Sequence, residues 1–183
     1  MLRKLFVILL VVVMGFIGLI ALQPSTYEVS RTGNVPGAPA DVFAMVNDLH
    51  RWEAWSPWSR LDPNARMTYE GPQAGPGAAV RWAGNKEVGE GTMTIVENRQ
   101  DERIRLQLEF IKPFPGKSGL EFDFEPAAEG TNVTWSMTGH NNLIGKVMCL
   151  FMDMDKRIGG DMERGLANMR TAVAATAPPA AGT

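Results

Sequence analysis

The chain has 183 residues, with 18 Lys and Arg against 20 Asp and Glu, one cysteine, two histidines and 45% hydrophobic residues. That length suits one domain with a sizeable core, and a lone Cys149 excludes an internal disulfide framework or a cysteine-cluster zinc site. A net charge of -2 argues against a nucleic-acid partner, and His50 and His140 match no HExxH-like spacing, so no metal or other cofactor is expected.

The apolar residues are unevenly spread. Residues 5–22 form a run of 18 with no charged or strongly polar side chain. As a helix the run spans about 27 Å, close to the hydrocarbon thickness of a bilayer. Arg3 and Lys4 precede it, and the next basic residue is Arg31. The positive-inside rule then predicts a cytoplasmic N-terminus and an extracytoplasmic domain, periplasmic in a bacterium. A cleaved signal peptide is the competing reading. Its apolar core runs to about 7–15 residues and ends at a small-x-small site. Here the run is longer and Leu19 is large, so residues 1–26 are expected to be an uncleaved single-pass anchor. The run has no polar stripe, which disfavours a core helix.

Beyond the anchor, 16 basic residues face 20 acidic ones, with no polybasic patch. Residues 27–35 read as a first strand, ended by Pro36-Gly37-Ala38-Pro39. Residues 39–49 carry Val42, Phe43, Met45, Val46 and Leu49 at helical spacing, and a second short helix over 51–55 stops before Pro57. The middle alternates. Ile104, Leu106, Leu108 and Phe110 share one face, as do Leu120, Phe122 and Phe124, and Val133, Trp135 and Met137. A period of two predicts strands with one buried and one wet face, as in an antiparallel sheet. Val80 with Trp82 and Met93 with Ile95 supply further inward positions, and turns fall within 71–77, 84–89, 98–102, 113–119 and 126–130. The period then changes. Val147, Phe151, Met154, Ile158, Met162, Leu166, Met169 and Val173 make one face of a long helix. Gly159-Gly160 in its middle predicts a weak or bent point, or close packing against a strand or ligand. Residues 174–183 are small, Pro-containing and uncharged, and are expected to be a disordered tail.

This order, with Asp48 to Trp58 (DLHRWEAWSPW), Tyr69-Glu70-Gly71, Trp82-Ala83-Gly84-Asn85, Gly89-Glu90-Gly91, Leu108-Glu109-Phe110 with Pro113, Gly130-Thr131 with Val133-Thr134-Trp135, and Gly165-Leu166, resembles the SRPBCC superfamily, also called START-like or helix-grip. Within it the chain is similar to polyketide cyclase/dehydrase-type members. The resemblance covers about residues 27–173, which read as one domain. It implies an α+β fold: a curved antiparallel sheet of about seven strands around a long C-terminal helix, with two short helices after the first strand. It also implies a cavity that in many relatives holds a hydrophobic small molecule. A fold of this kind does not by itself prove a chemistry.

An aromatic and methionine-rich lining is one reading of the inward residues. Trp55, Tyr69, Trp82, Met93, Leu108 and Phe110 would contribute from the first helices and strands, and Trp135, Met137, Met148, Phe151 and Met152 from the last strand and helix. The bland reading makes the same side chains plain core, above all Trp52, Trp55 and Trp58. Acid–base chemistry would need a titratable group at the cavity. Glu87, Glu90 and His140 are weak candidates, and His140 also reads as a cap or surface residue. Cys149, on an apolar helix, reads as a buried inert thiol. Three functions stay open. The first is a membrane-anchored extracytoplasmic binding protein for a hydrophobic small molecule or lipid. The second is a cyclase- or dehydratase-like enzyme. The third is an envelope interaction module whose cavity is filled by its own side chains.

Overall fold

The structure, a computed structural model, describes residues 2–176. It opens with α1 (Leu2–Ala21), an apolar helix long enough to cross a membrane, with Ile20 its one buried residue. Then come β1 (Thr26–Val35), α2 (Pro39–Asn47), a 3-10 turn (Leu49–Arg51) and α3 (Trp52–Trp55). Six further strands follow: β2 (Arg66–Glu70), β3 (Ala79–Ala83), β4 (Glu90–Arg99), β5 (Arg103–Lys112), β6 (Gly116–Ala127) and β7 (Gly130–His140). Two helices close the chain, α4 (Leu143–Phe151) and α5 (Met154–Thr176). All strand pairs are antiparallel, in the order β1-β7-β6-β5-β4-β3-β2, so the sheet is an open meander with β1 returned beside the last strand.

The period-two pattern holds. Ile104, Leu106, Phe122, Phe124, Val133 and Trp135 are all 0–3% exposed, and they face inward onto α2, α3 and α5. The outer face is polar and self-paired. Ser30 with Ser136, Thr32 with Thr134 and Asn34 with Asn132 are hydrogen-bonded across β1 and β7 at 2.9–3.1 Å. Further along, Arg103 pairs with Asp123 at 2.6 Å, and Arg105 bridges Glu97 and Glu121. Such cross-strand pairs add roughly 0.2–1 kcal/mol each. They also mark which face stays in water.

One helical expectation is corrected. The stripe from Val147 to Val173 is not one helix. The chain breaks at Met152, which is extended (φ -136°, ψ 135°), and Asp153 then accepts a hydrogen bond from the Lys156 N–H at 3.0 Å to start α5. A carboxylate held at a helix start is a better terminator than the apolar pattern could reveal. As a result Met162, Leu166, Met169 and Val173 are buried on α5, while Phe151 on α4 is 73% exposed. α5 runs on to Thr176, three residues into the expected tail, and residues 177–183 of that tail lie outside the described residues.

Gly159 and Gly160 both lie inside α5, which continues through them, and close packing against a strand accounts for the first. A Cβ on Gly159 would fall on the guanidinium of Arg31, which reaches from β1 to bond Asp155 and Glu163 on α5. A Cβ on Gly160 would meet open space. Gly160→Ala is therefore expected to stabilise the domain by about 0.5–1 kcal/mol through helix propensity. Gly159→Ala must push the Arg31 guanidinium off Asp155 and Glu163, and losing those exposed ion pairs, about 0–1 kcal/mol, is expected to cancel the same helix gain. In denaturant midpoints measured in the same detergent, Gly160→Ala should rise above the parent and Gly159→Ala should not.

Candidate functional site

Burial along the inner face is graded. On β5 the inward residues run from Ile104 and Leu106, at 0% and 2% exposure, to Leu108 and Phe110, which are only half-buried. The register carries that row across the sheet. Leu108 pairs with Met93 and Ser118, Ser118 with Gly139, and Gly139 with Tyr27. Phe110 pairs with Gly91, and Gly91 with Trp82. One end of the inner face is thus sealed, and the other presents half-buried Tyr27, Trp82, Leu108 and Phe110.

The sealed end is an aromatic cluster. Trp135 packs edge-on against Trp52, Trp55 and Trp58 at centroid distances of 5.6–6.4 Å, and stacks on Phe122 at 4.9 Å. A Cβ at Gly165 on α5 would lie 2.7 Å from its Cζ3, so the ring reaches the helix backbone where there is no side chain. The open end uses the same device. Trp82 covers Gly91 and Tyr27 covers Gly139, with no room for a Cβ on either glycine. The indole N–H groups of Trp52, Trp55 and Trp82 donate to the carbonyls of Val46, Met45 and Val88 at 2.9–3.2 Å. Trp135 Nε1 is fully buried and has no partner. Leaving a buried donor unpaired costs roughly 1–3 kcal/mol, so this atom calls for an acceptor.

The residues read from the sequence as a ligand lining divide into three groups. Tyr69, Trp82, Met93, Leu108 and Phe110 form one contiguous patch on the inner face, with Met137 in the next row. Trp55 and Trp135, at 0% exposure, belong to the sealed core. Met148 and Met152 are half-buried on and just after α4, while Phe151 points to solvent. Cys149 is half-buried rather than buried, 3.7 Å from Asn141 Nδ2.

The three weak acid–base candidates are not brought together. Glu87 is exposed in the β3–β4 loop, and Glu90 is bound to Lys112 at 2.8 Å. His140 is exposed at the end of β7, three strands across the sheet from β4, and the cap of α4 is Asn142. The structure instead assembles Asp48, His50 and Tyr69. Asp48 Oδ1 lies 3.0 Å from both the backbone N and Nδ1 of His50, and Oδ2 accepts from Gln73 Nε2 at 3.3 Å. The imidazole stacks on Tyr69 with centroids 3.9 Å apart. His50, Tyr69 and Gln73 border an open cleft of about 380 Å³ where the 3-10 turn meets the β2–β3 hairpin, with Asp48 behind them. The Asp-x-His spacing is a local signal for two of these three residues. Tyr69 joins through tertiary structure alone.

Partial burial pushes the Asp48 carboxyl up, but hydrogen bonds from the His50 N–H, Gln73 and the imidazole outweigh it and hold the group below its ordinary range. Burial, then the Glu53 and Asp48 carboxylates, push the Tyr69 hydroxyl above its usual value. A carboxyl held low in the folded state adds stability above its unfolded pKa, and that stability is lost as pH falls through the folded value. Asp48→Asn is therefore expected to flatten the fall in stability below about pH 4. Urea midpoints of parent and variant, taken in steps from pH 6 to pH 2.5, should converge at the acid end; parallel curves would contradict this.

No curated protein sequence matches the chain. Solved structures share its fold at low identity. The di-domain ARO/CYC BexL from the BE-7585A biosynthetic pathway superposes with a TM-score of 0.60 at 14% identity, over 89% of this chain and 54% of that one. A protein from Chromobacterium violaceum gives 0.57 at 15% identity, over 82% and 97%. Ara h 8.0201 gives 0.55 at 12% identity, over 82% and 99%. Residues 26–174 match the family model described as polyketide cyclase / dehydrase and lipid transport. With the match running from β1 to the last turns of α5, the chain belongs to that family.

Proposed function

We propose that the chain is a membrane-anchored, extracytoplasmic binding protein for a hydrophobic small molecule or lipid, held between the sheet and the C-terminal helices. The graded inner face carries this reading. Its apolar row is sealed by Trp135, Phe122 and Ile104, then continues into half-buried Leu108, Phe110 and Trp82. A guest lying on that patch completes a burial the chain leaves unfinished, at about 25 cal/mol per Å² of apolar surface removed from water. Tyr27 Oη and Ser118 Oγ, hydrogen-bonded at 2.8 Å in the same row, are polar groups suited to orienting it. The lipid-transport part of the family description supports the same class of ligand. α1 supports the tether: at about 1.5 Å per residue it is some 30 Å long, and Arg3 and Lys4 at its start favour a cytoplasmic N-terminus.

A second reading, a cyclase- or dehydratase-like enzyme, draws on the Asp48–His50–Tyr69 cluster. An imidazole oriented by a carboxylate is suited to proton transfer. The two readings differ in which residues matter.

Native mass spectrometry of the full chain after gentle extraction should show an apolar adduct. Protein with no adduct and no uptake of an apolar fluorescent probe would overturn the binding reading. Leu108→Arg, on the inner patch, is expected to weaken probe binding by about tenfold or more, since an unpaired charge would replace apolar wall. Gln107→Arg, on the outer face of the same strand, should leave it unchanged. An enzyme would instead lose turnover on His50→Ala while keeping its ligand.

A further inference from the structure

The two ends of the sheet differ. The loops at the sealed end, 36–38, 71–78, 100–102 and 128–129, contain no Leu, Ile, Val, Met, Phe, Tyr or Trp. The open end has an apolar strip on its β1, β7, β6 and β5 side, beside the charged loops 56–65 and 84–89 on its β2–β4 side. There α1 hands the chain to β1, the β5–β6 turn reverses at 113–115, and α4 begins. Six large apolar side chains stand exposed in this region outside α1: Leu22 (82%), Ile111 (49%), Phe114 (50%), Leu143 (70%), Ile144 (43%) and Phe151 (73%). α4 is apolar along its length apart from Lys146, and none of its residues is buried.

These parts are tied to the point where α1 ends. Thr26 pairs with His140. Asn141 N donates to the carbonyl of Ser25 at 2.9 Å, and its Nδ2 donates to that of Pro24 at 3.1 Å. Asn142 Nδ2 donates to Pro115 O at 3.3 Å, which joins the β5–β6 turn to the start of α4. α4 then packs beside α1. A cleft of about 540 Å³ opens between Gln23-Pro24 and the α4–α5 break. A helix fixed within a few residues of a membrane span is held at the level of the headgroups.

We propose that α4 and the β5–β6 turn form a docking face that lies in the interface of the same bilayer α1 crosses, with the open end of the inner face turned onto the lipid. The inference rests on α1 being an uncleaved span. It adds that the guest is exchanged with the membrane and not with the aqueous phase. The occupant of the apolar face is the bilayer because the chain's own tether places it there. A short apolar helix held there has no polar face to keep it out of the headgroup boundary, and large apolar side chains exposed together mark an interaction surface.

The test uses the full chain carrying Cys149→Ser, in vesicles of phosphatidylethanolamine and phosphatidylglycerol. Spin labels are placed at Phe114→Cys, Leu143→Cys or Phe151→Cys. Val12→Cys reports the span, and Ala128→Cys reports the far end of the sheet. The ratio of collision with oxygen to collision with a water-soluble nickel chelate should favour oxygen at 114, 143, 151 and 12, and reverse at 128. Aqueous values at 114, 143 and 151 with a lipid value at 12 would overturn the docking face and leave the anchor standing. An aqueous value at 12 would remove the anchor and the docking face together. Labels at 114, 143 and 151 shielded from both reagents would mean that protein covers the face, which also overturns it.

Discussion

The contact of the Trp135 ring with the bare backbone at Gly165 sets the spacing on which the rest of this domain depends. An open antiparallel sheet has one face that must leave water, and only α5 is long enough to cover much of it. How closely helix and sheet approach is decided where their largest and smallest residues meet. With Trp135 seated on the bare helix backbone, Trp52, Trp55 and Phe122 close around it edge-on, and the sealed end has no slack. Arg31, clamped between Asp155 and Glu163 over Gly159, holds α5 to the edge strand β1 in the same way. Both contacts lie towards the β1 side, and α5 packs mainly on β1 and α3. Trp82, Leu108 and Phe110, on β3 and β5 away from β1, stay half-buried in keeping with that asymmetry.

Much of this was legible in the residues, for physical reasons that differ by element. The strands carrying Ile104 to Phe110 and Leu120 to Phe124 alternate because each has one wet and one dry face, and a period of two has no other simple cause. The short helices around Trp52 and Trp55 were legible because Pro39 and Pro57 bound them. The break at Met152 was hidden, because Val147 and Phe151 continue the stripe of α5 in spacing while serving a different surface. Spacing reports which residues share a face. It does not report what covers that face.

The candidate site shows the same division. Trp82, Met93, Leu108 and Phe110 were readable as one lining because register follows from alternation and short turns. The pairing of Tyr27 with Gly139, and of Trp82 with Gly91, was not, because a glycine under a ring shows only as a glycine in a strand. The contact of His50 with Tyr69 was invisible for a third reason. It depends on where the loop after α3 places an edge strand, and that loop has no periodic signal.

The pairing of β1 with β7 also orders events during synthesis. β1 follows α1 directly, yet every one of its partners lies between Thr131 and His140, so it has no strand to bond until almost a hundred further residues have been made. During that interval it is an orphan edge next to the apolar α1, the kind of segment that invites mispairing. Its outward residues Glu28, Ser30, Thr32 and Asn34 are polar, and its inward row is interrupted by Arg31 and Gly33. The features that later dress the outer face and clamp α5 therefore also keep this strand soluble while it waits. The last strand to leave the ribosome completes the first.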